Sequence, residues 1–266
     1  MNIVFCLGLP KSGTTFLSQI LNSHPKVSCS PEQQIDFFFK ALPQLFEQYG
    51  KQIANTARIK GDSVIRPFEN EDLKEMLSLI ITKAAKRGAQ QRDILWHGLY
   101  DNSIIMYPDW YIKRFPNAKF IHIIRNPASI VLSSWHHNHR VQSNFSERAR
   151  DIESWATEVS KQWSYFVGLW QSLSDNRNIL FCQYENLIHS PISAYKEIFD
   201  FLGVDTQEGT INTIIKSTTF KKDDNNKFYR KAETEEWRVQ LSEESIENIK
   251  KEASKHMKIF NYDLSR

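Results

Sequence analysis

The chain has 266 residues, a formal net charge of +3 and a sequence pI near 8.6. Apolar residues make up 41% and charged residues 24%, the balance of an ordinary globular protein with enough chain to bury a sizeable core. The mildly basic charge suits a small anionic ligand and is too weak to argue for nucleic acid, and no apolar run approaches the length of a membrane span.

The first run, "NIVFCL" (2–7), is short, apolar and β-branched, with little alternation. Strands buried on both faces of a parallel sheet read this way, and "DILWHG" (93–98), "KFIHII" (119–124) and "NILFCQ" (178–183) read alike. Between them lie helical patterns at 14–22, 31–49, 69–88, 103–115, 127–139, 147–173 and 190–202, and an amphipathic helix at 242–256 closes the chain. Alternating strands and helices predict an α/β fold in three layers, a central parallel sheet flanked by helices. No linker divides the chain, so residues 1–266 read as one domain. The polar run 220–233 reads as a mobile loop. Ile3–Leu9 is too short for a signal peptide and has no basic leader. Cys6, Cys29 and Cys182 lack metal-ligand or CxxC spacing and read as reduced, mostly buried thiols, which points to a cytoplasmic setting.

After the first strand comes Gly8-Leu-Pro-Lys-Ser-Gly13-Thr14-Thr15, with the G-x-x-x-x-G spacing of a P-loop. Backbone N–H groups of such a loop, with the first turn of the following helix, point at an anion. An ATP-type loop would continue Gly-Lys-Ser/Thr; here Thr14 follows Gly13 and the lysine, Lys11, lies inside the loop. No strand ends in an obvious Mg²⁺-holding aspartate. A phosphate cradle without evident metal apparatus suits transfer of a sulfuryl group, which carries less negative charge than a phosphoryl group and can be balanced by a lysine and helix-terminal N–H groups. A second strand-to-helix junction, "FPNAKFIHIIRNPASIVLSSWHH" (115–137), places Arg125 at the strand's C-terminal end, where open α/β sheets bind ligands. Asn126 can cap the following helix and Pro127 suits its first turn. Arg125 and Ser133, about two helical turns further on, can together hold a second phosphate.

With these motifs the chain resembles the sulfotransferases that use 3′-phosphoadenosine 5′-phosphosulfate (PAPS). "PKSGTT" is similar to their 5′-phosphosulfate loop, and "RNPASIVLS" to their 3′-phosphate motif. "CQYENLIHSPISAYKEIFDFLG" (182–203) resembles the segment whose tyrosine contacts adenine, which implies that role for Tyr184. "STTF" (217–220) resembles the stretch lining the nucleotide, implying Thr218 and Phe220. "RKAETEEWR" (230–238) resembles the Arg-Lys-Gly-x-x-Gly-x-Trp loop of cytosolic members, implying Arg230 and Lys231 at the 3′-phosphate, although Ala232 and Glu235 replace its two glycines. The resemblance implies that Lys11, Ser12, Gly13, Thr14 and Thr15 bind the phosphosulfate, that adenosine 3′,5′-bisphosphate is released, and that no metal is required.

Three residues are candidates for the base that takes the acceptor's proton. Glu32 follows "NSHPKVSCSP" and resembles the catalytic glutamate of tyrosylprotein members; as a plain helix-start glutamate it would also be favoured by the macrodipole. His97 resembles the histidine base of cytosolic members, while "WHGLYDN" is more similar to a stretch of bacterial members with Tyr100 in place of a lysine; Asp101 is the third. His136, His137 and His139 lack metal-site spacing and read as the cationic end of a helix near the site mouth. Trp155, Val159, Trp163, Phe166 and Trp170 form a core stripe. Phe37, Phe38 and Phe39 cannot all face one core, and some of them can line an acceptor pocket. The acceptor remains open between small molecule, lipid, sugar and peptide. A P-loop kinase, or a nucleotide-binding module without catalysis, is the alternative.

Overall fold

The structure, a computed structural model, describes residues 1–61, 67–88, 93–218 and 234–265. In chain order the elements are β1 (Asn2–Leu7), α1 (Thr14–Asn22), β2 (Val27–Ser30), α2 (Asp36–Lys60), α3 (Asn70–Lys86), β3 (Trp96–Tyr100), a 3₁₀ turn (Asn102–Met106), α4 (Pro108–Arg114), β4 (Lys119–Ile124), α5 (Pro127–Val141), α6 (Phe145–Arg148), α7 (Ile152–Gln171), β5 (Ile179–Gln183), α8 (Tyr184–His189), α9 (Pro191–Leu202), α10 (Glu208–Thr218), α11 (Trp237–Gln240) and α12 (Glu243–Ile259). The strands form one sheet in the order β2-β3-β1-β4-β5, and every pairing is parallel.

Successive side chains of a strand point to opposite faces, and both faces of β1 are covered. Ile3, Phe5 and Leu7 join a cluster with Ile81 and Ala85 of α3, Val131 of α5, Trp163 and Trp170 of α7 and Ile249 of α12. Val4 and Cys6 join the opposite cluster with Leu17 and Ile20 of α1, Leu187 of α8, Ile198 of α9 and Ile214 of α10. This is why the strand reads as a continuous apolar run, and it makes the three-layer architecture that the alternation of elements predicts. The three cysteines are free and buried, and burial pushes the Cys6 and Cys182 thiols up. Among the described residues no helix is long and apolar enough to cross a membrane.

The α7 stripe is core, with Val159, Trp163 and Trp170 buried and Trp155 and Phe166 packed against them. Each indole N–H finds a partner. Trp155 donates to Ser134 Oγ (2.9 Å), Trp163 to the Arg125 carbonyl (3.0 Å) and Trp170 to the Ile105 carbonyl (3.0 Å). Burial thus stabilises the helix and also fixes the backbone at Arg125.

Several elements differ from their predicted bounds. β3 runs Trp96–Tyr100 instead of 93–98, and α2 begins at Asp36 instead of residue 31. The predicted helix 103–115 breaks at Tyr107, where Pro108 opens a new helix, and 147–173 is interrupted between α6 and α7. β2, α8, α10 and α11 are additional.

Candidate active site

The parallel register brings four strand ends to one edge of the sheet. Leu7 pairs with His122, Cys6 with Tyr100, and Ile124 with Gln183. The residues that follow these strands are Gly8–Gly13, Asp101–Asn102, Arg125–Asn126 and Tyr184–Glu185, so the loop, the arginine and the tyrosine converge because their strands end together.

Two glycines let the loop lie close to the sheet. A Cβ on Gly8 would stand 2.7 Å from the Ile123 carbonyl oxygen. Gly13, at φ 101°, is the residue before α1, and a Cβ there would stand 2.4 Å from the Tyr184 ring. Gly13→Ala is therefore expected to lower stability by about 1–3 kcal/mol from backbone strain alone, and to displace Tyr184. Thermal denaturation checks this; an unchanged melting temperature would contradict the geometry. The N–H groups of Thr14 and Thr15 open α1 with no partner inside the helix, the arrangement that attracts an anion. The Ser12 N–H instead closes the loop onto the Leu9 carbonyl (3.0 Å).

Lys11 also has a positive φ, 75°. This left-handed residue turns its carbonyl toward Arg125, whose Nη1 donates to it at 3.0 Å. The guanidinium lies 4.5 Å from the centroid of the Tyr184 ring, and its Nε is buried with no hydrogen-bond partner among the described residues. A buried charged donor without a partner is costly, and this one belongs to the guanidinium that reaches the phosphate loop through Nη1. Asn126 caps α5 through its side chain, accepting from Ala128 N at 2.9 Å, with Pro127 at the first helical position. Its own N–H donates to Glu185 Oε1 (2.9 Å), whose other oxygen accepts from Tyr262 (2.8 Å).

Positive charge accumulates around the loop. Burial lowers the Lys11 pKa from its ordinary value, and the like charges of Arg140 and Arg125 lower it further. Burial, then Lys11 and Arg140, likewise lower that of His137. Ser133, His137 and Arg140 recur at helical spacing, so α5 turns one face toward Lys11. The three histidines of α5 diverge. His136 meets Gln240 (3.0 Å), His137 faces the loop, and His139 packs edge-on against Trp135 and Phe145. Among the described residues no group of three or more His, Cys, Asp or Glu could hold a metal ion.

Of the three base candidates the structure brings one carboxylate to the loop in an accessible position. Glu32 is exposed in the irregular segment before α2, so the macrodipole of that helix does not explain it. Its Oε1 accepts from Asn102 Nδ2 (3.4 Å), and Asn102 Oδ1 accepts from the Thr14 hydroxyl (3.2 Å). Desolvation and then the neighbouring Asp101 carboxylate push the Glu32 pKa above its ordinary value, against hydrogen bonds from the Asn102 side chain and backbone N–H, which lower it. Asp101 is only 1% exposed and takes the Ser103 N–H and hydroxyl (2.9 and 2.6 Å) and the Ile35 N–H (3.0 Å). That makes it a clamp for the backbone.

His97 is not brought to the loop. It pairs with Ile3, near the start of β1, roughly 10 Å along the strand from Tyr100 at the usual rise per residue. Burial, and the positive charges of Lys86 and the chain's amino terminus, lower its pKa, which marks the opposite edge of the sheet. The Thr218 hydroxyl is engaged with Tyr195 (3.1 Å) and the Ile214 carbonyl (2.9 Å). Phe220, Arg230 and Lys231 lie outside the described residues. The sequence motifs alone do not single out Asn102 or Arg140. Arg140 carried a signal, its helical spacing from Ser133, whereas Asn102 becomes visible only once β3 is placed correctly.

The sheet order and the loop after β1 define a P-loop α/β fold. The sequence model of the sulfotransferase family matches residues 3–208, and the chain belongs to that family. It is 24% identical over 169 residues to the flavonol 3-sulfotransferase of Flaveria bidentis, covering 52% of this chain and 54% of that one. It is 22% identical over 216 residues to the protein-tyrosine sulfotransferase of Drosophila melanogaster, covering 80% of this chain and 40% of that one. The chain thus spans about half the length of these curated relatives or less. A mouse sulfotransferase solved in complex with PAP superposes with a TM-score of 0.61 at 17% identity, covering 97% of this chain and 85% of that one, which shows the shared fold.

Proposed function

We propose that this chain, as a single domain, transfers a sulfuryl group from PAPS to a hydroxyl or amine acceptor and releases adenosine 3′,5′-bisphosphate. The observation that carries the reading is the pair of cationic residues, Lys11 and Arg125, held together at the strand ends, with a buried Arg125 Nε that has no partner among the described residues. Family membership and the similarity to a PAP-bound structure support it.

PAPS, when bound, supplies the activated sulfuryl group and the bisphosphate leaving group. The chain's own residues position and balance charge. Lys11 and the N–H groups of Gly13, Thr14 and Thr15 face the phosphosulfate and stabilise negative charge as it develops there. Arg125 and Ser133 hold the 3′-phosphate, and Tyr184 lies beside the adenine. From the resemblance, Phe220, Arg230 and Lys231 complete the nucleotide site. Glu32 accepts the acceptor's proton. The relatives named for flavonol and protein-tyrosine point to a phenolic hydroxyl, on a small molecule or a peptide, as the acceptor class. Phe37 is exposed at the start of α2 and available to an aromatic acceptor, whereas Phe39 stacks on Tyr107 (4.5 Å).

Glu32→Gln tests the base. Turnover is expected to fall by on the order of 10²–10⁴-fold with adenosine 3′,5′-bisphosphate binding retained. A base must be deprotonated, so activity declines as pH falls through the Glu32 pKa, and that limb lies above the ordinary glutamate range. Full activity of the glutamine variant would remove Glu32 from the mechanism.

A further inference from the structure

The crossover that carries Glu32 has no regular structure from Pro31 to Gln34, and Gln34 sits at a positive φ of 52°. Nothing in such a segment fixes a carboxylate by itself. The polar contacts that hold it come from the corner that ends β3, and the Asn102 backbone N–H is one of them. Asp101 Oδ2 takes the Ile35 N–H (3.0 Å) and pins the backbone, while Asn102 Nδ2 reaches the Glu32 carboxylate (3.4 Å). The other end of the Asn102 amide accepts from Thr14, the residue after the last loop glycine (3.2 Å). One amide therefore joins the phosphate loop to the acid across three segments that are far apart in sequence. A carboxamide suits this place, because it offers an acceptor to a hydroxyl and a donor to a carboxylate at once.

We propose that Asn102 is a positioning residue that holds the Glu32 carboxylate at the phosphate loop. The contact itself is independent of the reaction; its consequence for turnover rests on Glu32 being the base. Misplacing a catalytic group by about an ångström can lower a rate by on the order of 10²-fold, so the amide matters without touching substrate. The charged group acting on Glu32 from the same corner is Asp101, which opposes ionisation of Glu32, while the Asn102 hydrogen bond favours it. Losing the Asn102 side chain leaves the Asp101 effect opposed only by the residue's backbone N–H, which alanine keeps.

The test follows the Glu32 carboxyl by ¹³C NMR as pH is varied, in the protein without nucleotide and in Asn102→Ala, with Glu32→Gln assigning the signal. The Glu32 titration is expected to move to higher pH in Asn102→Ala. With a phenolic acceptor, kcat is expected to fall roughly 10- to 100-fold, the acid limb to move with the titration, and the affinity for adenosine 3′,5′-bisphosphate to stay within a few-fold. If Asn102→Ala does not fold, Asn102→Asp keeps the side-chain volume and is expected to move the titration the same way and further, since it adds a like charge. A Glu32 titration unchanged in the folded variant overturns the proposal. A shifted titration with undiminished kcat, while Glu32→Gln is inactive, overturns it as well. Activity retained in Glu32→Gln would fail the base reading alone, and the titration would still decide the contact.

Discussion

Replacing Lys11 with alanine is expected to lower turnover by on the order of 10²–10³-fold, the scale of losing one preorganised charge at a transition state, while the chain still folds. The lysine is half-buried, and its carbonyl, which takes the Arg125 Nη1 hydrogen bond, belongs to the backbone and survives the substitution. Its side chain meets Arg125 and Arg140 as like charges, so the fold gains little from the ammonium without an anion. An ion held among like charges with no carboxylate partner among the described salt bridges points to a ligand that supplies the negative charge. Steady-state turnover with PAPS and a panel of phenols, read beside a thermal melt, checks both halves of the statement. Retained activity would remove Lys11 from the reaction; loss of the fold would make its role structural.

Arg125→Ala carries the second large effect. It removes a guanidinium whose Nη1 holds the Lys11 carbonyl, whose face covers Tyr184 and whose Nε lacks a partner among the described residues. Loss of a charged hydrogen bond is expected to weaken adenosine 3′,5′-bisphosphate by about 1.5–3 kcal/mol, roughly 10- to 150-fold in Kd. Arg125→Lys is not expected to restore binding, because an ammonium can neither fork to a phosphate nor lie flat on the ring as a guanidinium does. Affinity for ADP, which lacks the 3′-phosphate, is expected to change less. Calorimetry with the two nucleotides separates the outcomes, and equal losses for both would argue that Arg125 supports the loop without reading the 3′-phosphate.

The parts of this architecture that are legible in the sequence are those dictated locally. β1 and β4 are mostly apolar runs that occupy their predicted bounds, and α1 and the Asn126-Pro127 start of α5 follow from loop and cap chemistry. β3 was displaced because Ile94 and Leu95 look like strand, while the actual strand contains Gly98. That glycine is required by packing, since a Cβ there would stand 2.7 Å from the Ser28 carbonyl oxygen on β2. The displacement is what put His97 at a strand end in the sequence reading and near a strand start in the structure. β2 is four residues with two serines, too short and too polar to announce itself. α2 starts later than its local pattern predicts because Asp101, just after the distant strand β3, captures the Ile35 N–H and ends the irregular segment there. The same long-range corner brings Asn102 to Glu32, a contact that no local periodicity encodes.

The proposed function requires the site to read an adenosine carrying both a 5′- and a 3′-phosphate. A ligand that binds only the folded state raises apparent stability by mass action, so the decisive measurement is a thermal-shift titration with adenosine 3′,5′-bisphosphate against ADP and ATP-Mg²⁺. A concentration-dependent rise with the bisphosphate, well beyond that with ADP and without one for ATP-Mg²⁺, is the predicted result. A rise with ATP-Mg²⁺ alone would contradict the account and turn the phosphate loop toward phosphoryl transfer.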